Sequence, residues 1–288
     1  MKNNTKIGVR INWVFFGTSN FSIIVLDELK SFGLIPSLIV TTEDKLKGRK
    51  LILTPPEAKI WAKENNISHI QPQNLRNPDV VNMINEYGDN WDVFVVASYG
   101  KIIPQNILDI PKHKTLNIHP SLLPKLRGPS PIQNAILKEN ETGVTIMRLD
   151  AEMDHGPIVT QEKIDIDWPP YYQDLEKISG EIGGQLLIKI LPDWINGKIK
   201  EKEQNHHQVT YCKKVEKADA ELNFSDKPEL NLRKIRAYHL WPGAYFFDNQ
   251  KRMVVKKARM EDDKLIIERV VPEGKKEMNY EDYLRGRK

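Results

Sequence analysis

The chain has 288 residues, a net charge of +4 and a single cysteine, Cys212. A lone cysteine excludes an internal disulfide and a cysteine zinc cluster, and it is typical of a reducing compartment. No apolar run approaches the roughly 20 residues that span a bilayer, and the first apolar run is too short for a signal peptide. We therefore expect a cytoplasmic protein without a membrane partner.

The positive charge is concentrated in the C-terminal part of the chain. Residues 206–288 hold 19 Lys and Arg against 14 Asp and Glu, a net charge of +5, while the rest is close to neutral. Such an excess suits a polyanion such as a nucleic acid. A solubilising surface explains the charge equally well, so charge alone leaves both interpretations open.

Short apolar runs alternate with amphipathic segments over the first two-thirds of the chain. This alternation predicts an α/β protein with a mostly parallel sheet and helices on both faces. The pair Gly183-Gly184 would cost a helix roughly 1 kcal/mol each, so we expect it to interrupt the last helix and to mark a close packing contact. The predicted strands are 12–16, 34–40, 93–97, 115–119, 142–149 and 158–166, and the predicted helices are 21–32, 56–65, 79–86, 130–137 and 172–194.

The composition changes near Gly197. Residues 197–208 are polar and contain His206-His207, and short strand-like runs follow at 245–248, 253–258 and 264–271. Spacing of this kind predicts a small β barrel or sandwich. We predict a catalytic domain over 1–196, a linker over 197–208 and a second domain over 209–288. The two histidines lack nearby carboxylate or cysteine partners in the sequence, which disfavours a metal site.

Four basic residues surround Gly48 in a long connection between a strand and a helix. Long loops are often functional, and Lys and Arg suit phosphate backbones. A solvated charged loop explains the same residues, and the pattern alone favours it slightly. The four residues are Lys45, Lys47, Arg49 and Lys50.

Three polar residues form the candidate catalytic group. Asn117 and His119 are two apart at the end of a predicted strand, so their side chains share a face, and Asp154 lies on a turn after another strand. An amide and a protonated imidazole suit the oxyanion of acyl transfer, and a carboxylate favours the charged imidazole and can relay a proton. Ser121 lacks a nucleophile elbow, so direct attack by an acceptor amine is favoured over a covalent intermediate.

These motifs resemble the 10-formyltetrahydrofolate-dependent formyltransferases, particularly the branch that acts on methionyl-tRNA. The resemblance rests on residues 117–124 (NIHPSLLP), 127–128 (RG), 141–145 (ETGVT) and 154–157 (DHGP). It implies a Rossmann-like formyltransferase domain and an OB-like C-terminal barrel. It also implies 10-formyltetrahydrofolate as the formyl donor, and no metal. The resemblance gives the catalytic role to Asn117, His119 and Asp154. It further implies a folate site lined by Ser121, Leu122, Leu123 and Pro124.

The resemblance also bears on the partner. The loop with Lys45, Lys47, Arg49 and Lys50 is similar to the insertion that enters the acceptor arm of initiator methionyl-tRNA, with Arg49 as its key residue. This chain departs from that pattern with Leu46 and with the apolar residues 51–53. We expect a monomer. Two alternatives are a sugar-nucleotide N-formyltransferase, which needs neither the basic loop nor a positive tail, and a catalytically silent RNA-binding protein, which the intact catalytic group disfavours.

Overall fold

A seven-stranded sheet organises the larger part of the chain in the computed structural model, which describes residues 11–48 and 50–286. The strands up to residue 164 are β1 (Trp13–Gly17), β2 (Leu38–Val40), β3 (Lys45–Lys47), β4 (Ile52–Thr54), β5 (Ser68–Ile70), β6 (Val93–Ala97), β7 (Thr115–His119), β8 (Thr142–Arg148) and β9 (Ile158–Ile164). The helices up to residue 195 are α1 (Asn20–Ser31), α2 (Glu57–Glu64), α3 (Asp79–Asn85), α4 (Gln105–Leu108), α5 (Pro131–Lys138) and α6 (Tyr172–Ile195).

The order of strands in this sheet is β5-β2-β1-β6-β7-β8-β9. The pairs from β5 to β7 are parallel, and β8 joins β7 antiparallel. Both β1 and β6 are apolar and buried along their whole length, as expected for strands covered on two faces. The predicted α/β class with a mostly parallel sheet is confirmed.

Helix α6 continues through Gly183-Gly184, so the predicted interruption is wrong. The predicted close contact is present, because a β-carbon on Gly183 would lie 2.5 Å from Cγ2 of Ile118 on β7. A β-carbon on Gly184 would lie 2.8 Å from Cβ of Glu28 on α1. The two glycines thus bring the helix close to its neighbours at a small cost in helix propensity.

Several short elements had no sequence prediction. Strands β3 and β4 pair antiparallel as a hairpin in the stretch that was expected to be a loop, and β5 and α4 are equally short. The predicted strand 34–40 begins only at Leu38, since Pro36 has no N–H to give to a sheet.

The described chain divides into two compact units that interleave in sequence. The first contains the residues through Arg127, Gly143–Ile164 and Lys177–Thr210, and the second contains Gly128–Thr142, Asp165–Glu176 and the residues from Tyr211 onwards. The division into domains 1–196 and 209–288 with a linker between them stays a prediction.

The second unit contains a four-stranded antiparallel sheet whose strands lie side by side in chain order. Its core joins the apolar face of the helix Pro228–Ala237 to the sheet and includes Leu232, Ile235, Met253 and Val270. The three strand-like runs predicted in the tail are all strands. Along the stretch that the structure describes, no helix is both long and apolar enough to cross a membrane. The elements are α7 (Pro228–Ala237), β10 (Tyr245–Asp248), β11 (Lys251–Glu261), β12 (Lys264–Pro272), β13 (Met278–Asn279) and α8 (Tyr280–Arg285).

Candidate active site

The end of β7 carries the two polar residues that the sequence singles out. Asn117 and His119 are both buried, and Pro120, which follows them, lies outside the strand. Strand β7 lies between β6 and β8, where the parallel part of the sheet meets its antiparallel edge. Side chains two apart on a strand share a face, so the amide and the imidazole project side by side. A carboxyl end of this kind is the usual place for ligands in open α/β sheets.

The imidazole of His119 is held by a backbone carbonyl. Its Nε2 lies 3.1 Å from the carbonyl oxygen of Leu126. Since a carbonyl can only accept a hydrogen bond, Nε2 must carry the proton and donate it. Only Nδ1 is then free to gain or release a proton.

Asp154 faces that free nitrogen. Its Oδ1 lies 3.7 Å from Nδ1 of His119, and both side chains are largely withdrawn from solvent. The separation is too long for a direct hydrogen bond, but it allows an ion pair with a charged imidazole. A shift of a few tenths of an ångström would bring the two atoms close to hydrogen-bond distance. Asp154 has a φ of +51°, in the left-handed region that non-glycine residues rarely adopt.

Asn117 completes the group that the sequence predicts. Its side chain makes no hydrogen bond to any residue within 11–48 or 50–286, whereas its backbone is held between Val96 on β6 and Met147 on β8. The structure therefore brings together an uncommitted amide, an imidazole with one free nitrogen and a carboxylate. Their roles in catalysis stay predictions.

The turn after β7 contains the four residues predicted to line the folate site. Ser121 and Leu123 are buried, and Leu122 and Pro124 are half-buried. The Ser121 hydroxyl donates to the carbonyl of Lys125 at 2.6 Å, so its proton is already used in a hydrogen bond within the turn. A ligand would meet this turn mainly through the side chains of Leu122 and Pro124. The predicted role of all four residues in folate binding is untested.

Thr145 on β8 fastens this turn to the sheet. Its hydroxyl donates to the carbonyl of Ser121 at 2.6 Å and accepts from the Leu123 N–H at 3.1 Å and from Nε2 of Gln161 at 2.8 Å. Gln161 on β9 also donates to the carbonyl of Leu123 at 2.7 Å. One donor and two lone pairs exhaust the capacity of a hydroxyl.

Tyr99 lies just beyond the end of β6, the neighbour of β7. Its ring packs against Phe16 at 5.6 Å, and its buried hydroxyl has no hydrogen-bond partner among the described residues. Burial, with a smaller effect of the Glu43 carboxylate, raises the pKa of Tyr99 well above its ordinary value. The hydroxyl is therefore protonated at neutral pH.

Of the residues predicted to bind tRNA, Lys45 and Lys47 lie on β3, and Lys50 lies in the turn before β4. Lys45 and Lys50 are exposed, whereas Arg49 and the side chain of Lys47 lie outside the described part of the structure. Four large apolar side chains on the same hairpin are 59–64% exposed: Leu46, Leu51, Ile52 and Leu53. Exposed apolar residues grouped in this way mark an interaction surface.

His206, the first residue of the short helix after residue 205, contacts an arginine and another histidine. Nδ1 of His206 accepts from Nη2 of Arg127 at 3.1 Å, and its ring stacks on that of His155 at 4.5 Å. Over residues 11–48 and 50–286, no group of three His, Cys, Asp or Glu side chains is arranged to hold a metal ion.

Sequence patterns did not point to the groups that support this site. The hydroxyl of Thr145 and the amides of Gln161 and Gln204 act through contacts between residues distant in the chain, and the carbonyl of Leu126 reaches His119 across a turn of seven residues. No local periodicity or motif signals such a contact. The β-branched alternation of β8 predicts only that Thr145 lies on a strand.

Comparison with known proteins shows the family. Residues 9–191 match the formyl transferase family, and residues 214–265 match the formyl transferase C-terminal domain. The methionyl-tRNA formyltransferase of Thermotoga neapolitana is 40% identical over 241 residues, covering 83% of this chain and 76% of the relative. That of Chloroflexus aurantiacus is 39% identical over 247 residues, covering 85% and 79%.

Solved structures show the same fold at low identity. A methionyl-tRNA formyltransferase from Clostridium thermocellum superposes with a TM-score of 0.63 at 17% identity, over 91% of this chain and 99% of the other. An N-formyltransferase from Helicobacter canadensis, in complex with folinic acid and dTDP-3-aminofucose, superposes with a TM-score of 0.65 at 19% identity, over 88% and 89%. The fold is thus common to enzymes with different acceptors.

The contacts of Thr145 predict a specific loss of stability. Replacing it with Val removes the buried hydroxyl and leaves Leu123 N–H and the Ser121 carbonyl without a partner, so we expect the free energy of unfolding to fall by about 1–3 kcal/mol. Thr145→Ser keeps the hydroxyl and serves as the control. Urea unfolding of both variants measures the difference, and equal stabilities would show that the hydroxyl does not hold the turn.

Proposed function

The chain belongs to the formyl transferase family, and we propose that it transfers a formyl group from 10-formyltetrahydrofolate to the amino group of initiator methionyl-tRNA. The acceptor is supported by relatives that are 39–40% identical over more than four-fifths of the chain and carry that activity in their names. The chemistry is supported above all by one observation, the 3.7 Å approach of Asp154 to the free nitrogen of His119.

The first step of the proposed reaction is attack by the acceptor amine. Its nitrogen forms a bond to the formyl carbon, and the carbonyl electrons move onto oxygen to give a tetrahedral oxyanion. The Asn117 amide and the Nδ1–H of a charged His119 donate to that oxygen. Donors of this kind contribute about 3–4 kcal/mol each in comparable sites.

The second step restores the carbonyl. Asp154 takes a proton from the new ammonium nitrogen, the bond to N10 of the folate breaks, and N10 receives a proton from His119. The proton on Asp154 then returns to Nδ1 of His119 across their short separation, directly after a small shift or through one water. The cycle leaves both side chains unchanged and needs neither a nucleophilic side chain nor a metal.

The formyl donor is a substrate whose place is inferred from the turn after β7. Leu122 and Pro124 supply apolar surface for a pterin ring, and the contacts of Thr145 and Gln161 keep that surface rigid. The folinic acid bound in the Helicobacter canadensis relative supports a folate donor for the family.

The β3–β4 hairpin favours tRNA over a small acceptor. It combines exposed lysines with four exposed apolar side chains, and an amino sugar is too small to need such a surface. Lysines suit phosphates, and aliphatic side chains such as Leu and Ile can insert between bases as wedges. A sugar-nucleotide N-formyltransferase is the second candidate, because the Helicobacter canadensis enzyme has the same fold.

The choice of acceptor is tested directly. Purified protein with 10-formyltetrahydrofolate is offered methionyl-tRNA or a dTDP-amino sugar, and formylated product is measured by mass spectrometry. We expect kcat/KM to be at least about 100-fold higher for methionyl-tRNA, because a pocket built for one acceptor leaves polar groups unpaired with another. Preference for the amino sugar would refute the assignment.

The role of His119 predicts a kinetic defect. His119→Ala removes an oxyanion donor and should lower kcat by at least about 100-fold, with little change in KM for either substrate. His113→Ala, a change of the same kind just before β7, is the control and should stay close to the parent. Near-normal turnover of His119→Ala in a steady-state assay would eliminate the mechanism.

The lysines of the hairpin predict a salt effect. The double variant Lys45→Gln/Lys50→Gln should weaken tRNA binding and reduce the slope of log K against log salt by about 1–2, as expected for two lost phosphate contacts. Lys177→Gln/Lys189→Gln on α6 makes the same charge change elsewhere and should keep the slope. Filter binding over a salt series measures both, and equal slopes would remove the hairpin from the interface.

A further inference from the structure

Gln204 is a buried residue in a stretch that reads as a polar linker. It is only 4% exposed, whereas the residues on either side of it are exposed. Burying an amide is unfavourable unless its donors and acceptors are paired. The contacts of this side chain therefore define its role.

Every hydrogen-bonding position of the Gln204 amide is occupied. Its Oε1 accepts from Nε of Arg127 at 3.1 Å and from Nη2 at 2.7 Å. Its Nε2 donates to the carbonyl of Asp154 at 3.0 Å and to that of Gly156 at 2.7 Å. A primary amide has two donors and two acceptor lone pairs, so nothing is left over.

These contacts connect the loop that carries Asp154 to the turn whose Leu126 carbonyl holds the His119 ring. On one side, Gln204 holds the backbone of Asp154 itself, at a residue whose φ of +51° is unfavourable without support. On the other side it binds Arg127, the residue next to Leu126, whose carbonyl orients the His119 ring.

The end of the same stretch strengthens the second connection. The hydroxyl of Thr210 accepts from the N–H of Leu126 at 2.9 Å, and the backbone carbonyl of Thr210 accepts from the N–H of Arg127 at 2.9 Å. Gln204 and Thr210 thus hold both loops at their backbones.

We propose that Gln204 is a positioning residue that sets the distance between Asp154 and His119. The inference rests on the proposed formyl transfer, because it gives those two residues a shared step. Gln204 touches neither substrate nor the reacting atoms, so its loss should slow the proton transfers without changing the affinity for either substrate.

Gln204→Glu separates the two halves of the contact. The carboxylate still accepts from Arg127, which keeps the buried guanidinium paired, but it offers no donor to the carbonyls of Asp154 and Gly156. We expect kcat to fall by about 10-fold and KM to change by less than about 2-fold, since small displacements of catalytic groups are costly. Gln208→Glu, at an exposed glutamine four residues on, is the matched control and should behave like the parent.

A double-mutant cycle with Asp154→Asn tests whether Gln204 acts through Asp154. In that background residue 154 has no carboxylate to take up a proton, so its exact position no longer affects the rate. Gln204→Glu should then slow the reaction by less than about 2-fold. Single-turnover assays with enzyme in excess keep slow variants measurable. Gln204→Glu should lower the thermal midpoint, because two buried carbonyls lose their donors, so all assays are run at a temperature at which circular dichroism shows every variant folded.

The outcomes are distinct. An equal fall in both backgrounds, or an unchanged kcat in Gln204→Glu, would overturn the positioning role. A parent protein that formylates only the amino sugar would refute the proposed acceptor, and the same cycle with that acceptor would still decide the role of Gln204.

Discussion

The hydrogen bond from Nε2 of His119 to the carbonyl of Leu126 is the interaction on which the site depends. It decides which nitrogen of the ring carries the fixed proton, and it leaves the other nitrogen toward Asp154. The bond requires the turn after β7 to return close to the strand that it leaves. Thr145, Gln161 and Thr210 all bind the backbone of that turn. Contacts from three separate parts of the first unit therefore hold the turn that presents the Leu126 carbonyl.

The sequence predicts the central sheet and the position of the polar pair well, because both follow from local patterns. Apolar runs identify β1, β6 and β7 to within a residue, and the spacing of Asn117 and His119 on a strand requires a common face. Asp154 could be proposed from its turn and from the resemblance. Its distance from the imidazole depends on how two loops pack, and no local pattern determines that.

Gln204, the hairpin and the continuous helix α6 could not be predicted from the sequence, each for a different physical reason. Gln204 lies in a polar, charged stretch, and such a composition predicts exposed side chains. Its hydrogen bonds are to residues 48–77 positions away in the chain. The strands of the hairpin are three residues long, too short for an alternating pattern to be recognised. Gly183-Gly184 weakens the helix locally, but a 24-residue helix packed on a sheet tolerates that loss.

The fold by itself does not select an acceptor, since enzymes that formylate methionyl-tRNA and amino sugars share it. Under the proposed function, selection would lie in surface elements attached to the common sheet, and the hairpin with its exposed apolar residues is the candidate in this chain.

The contact between Gly183 and Ile118 has a consequence for how genetic variation in this chain should be read. Ile118 stands between Asn117 and His119 on β7 and points to the opposite face of the sheet, toward α6. A side chain at position 183 would press on Ile118 from the back of the sheet, and any shift of β7 would carry Asn117 and His119 with it. A substitution of Gly183 is therefore not neutral for these two side chains, although it lies on the far face of the sheet.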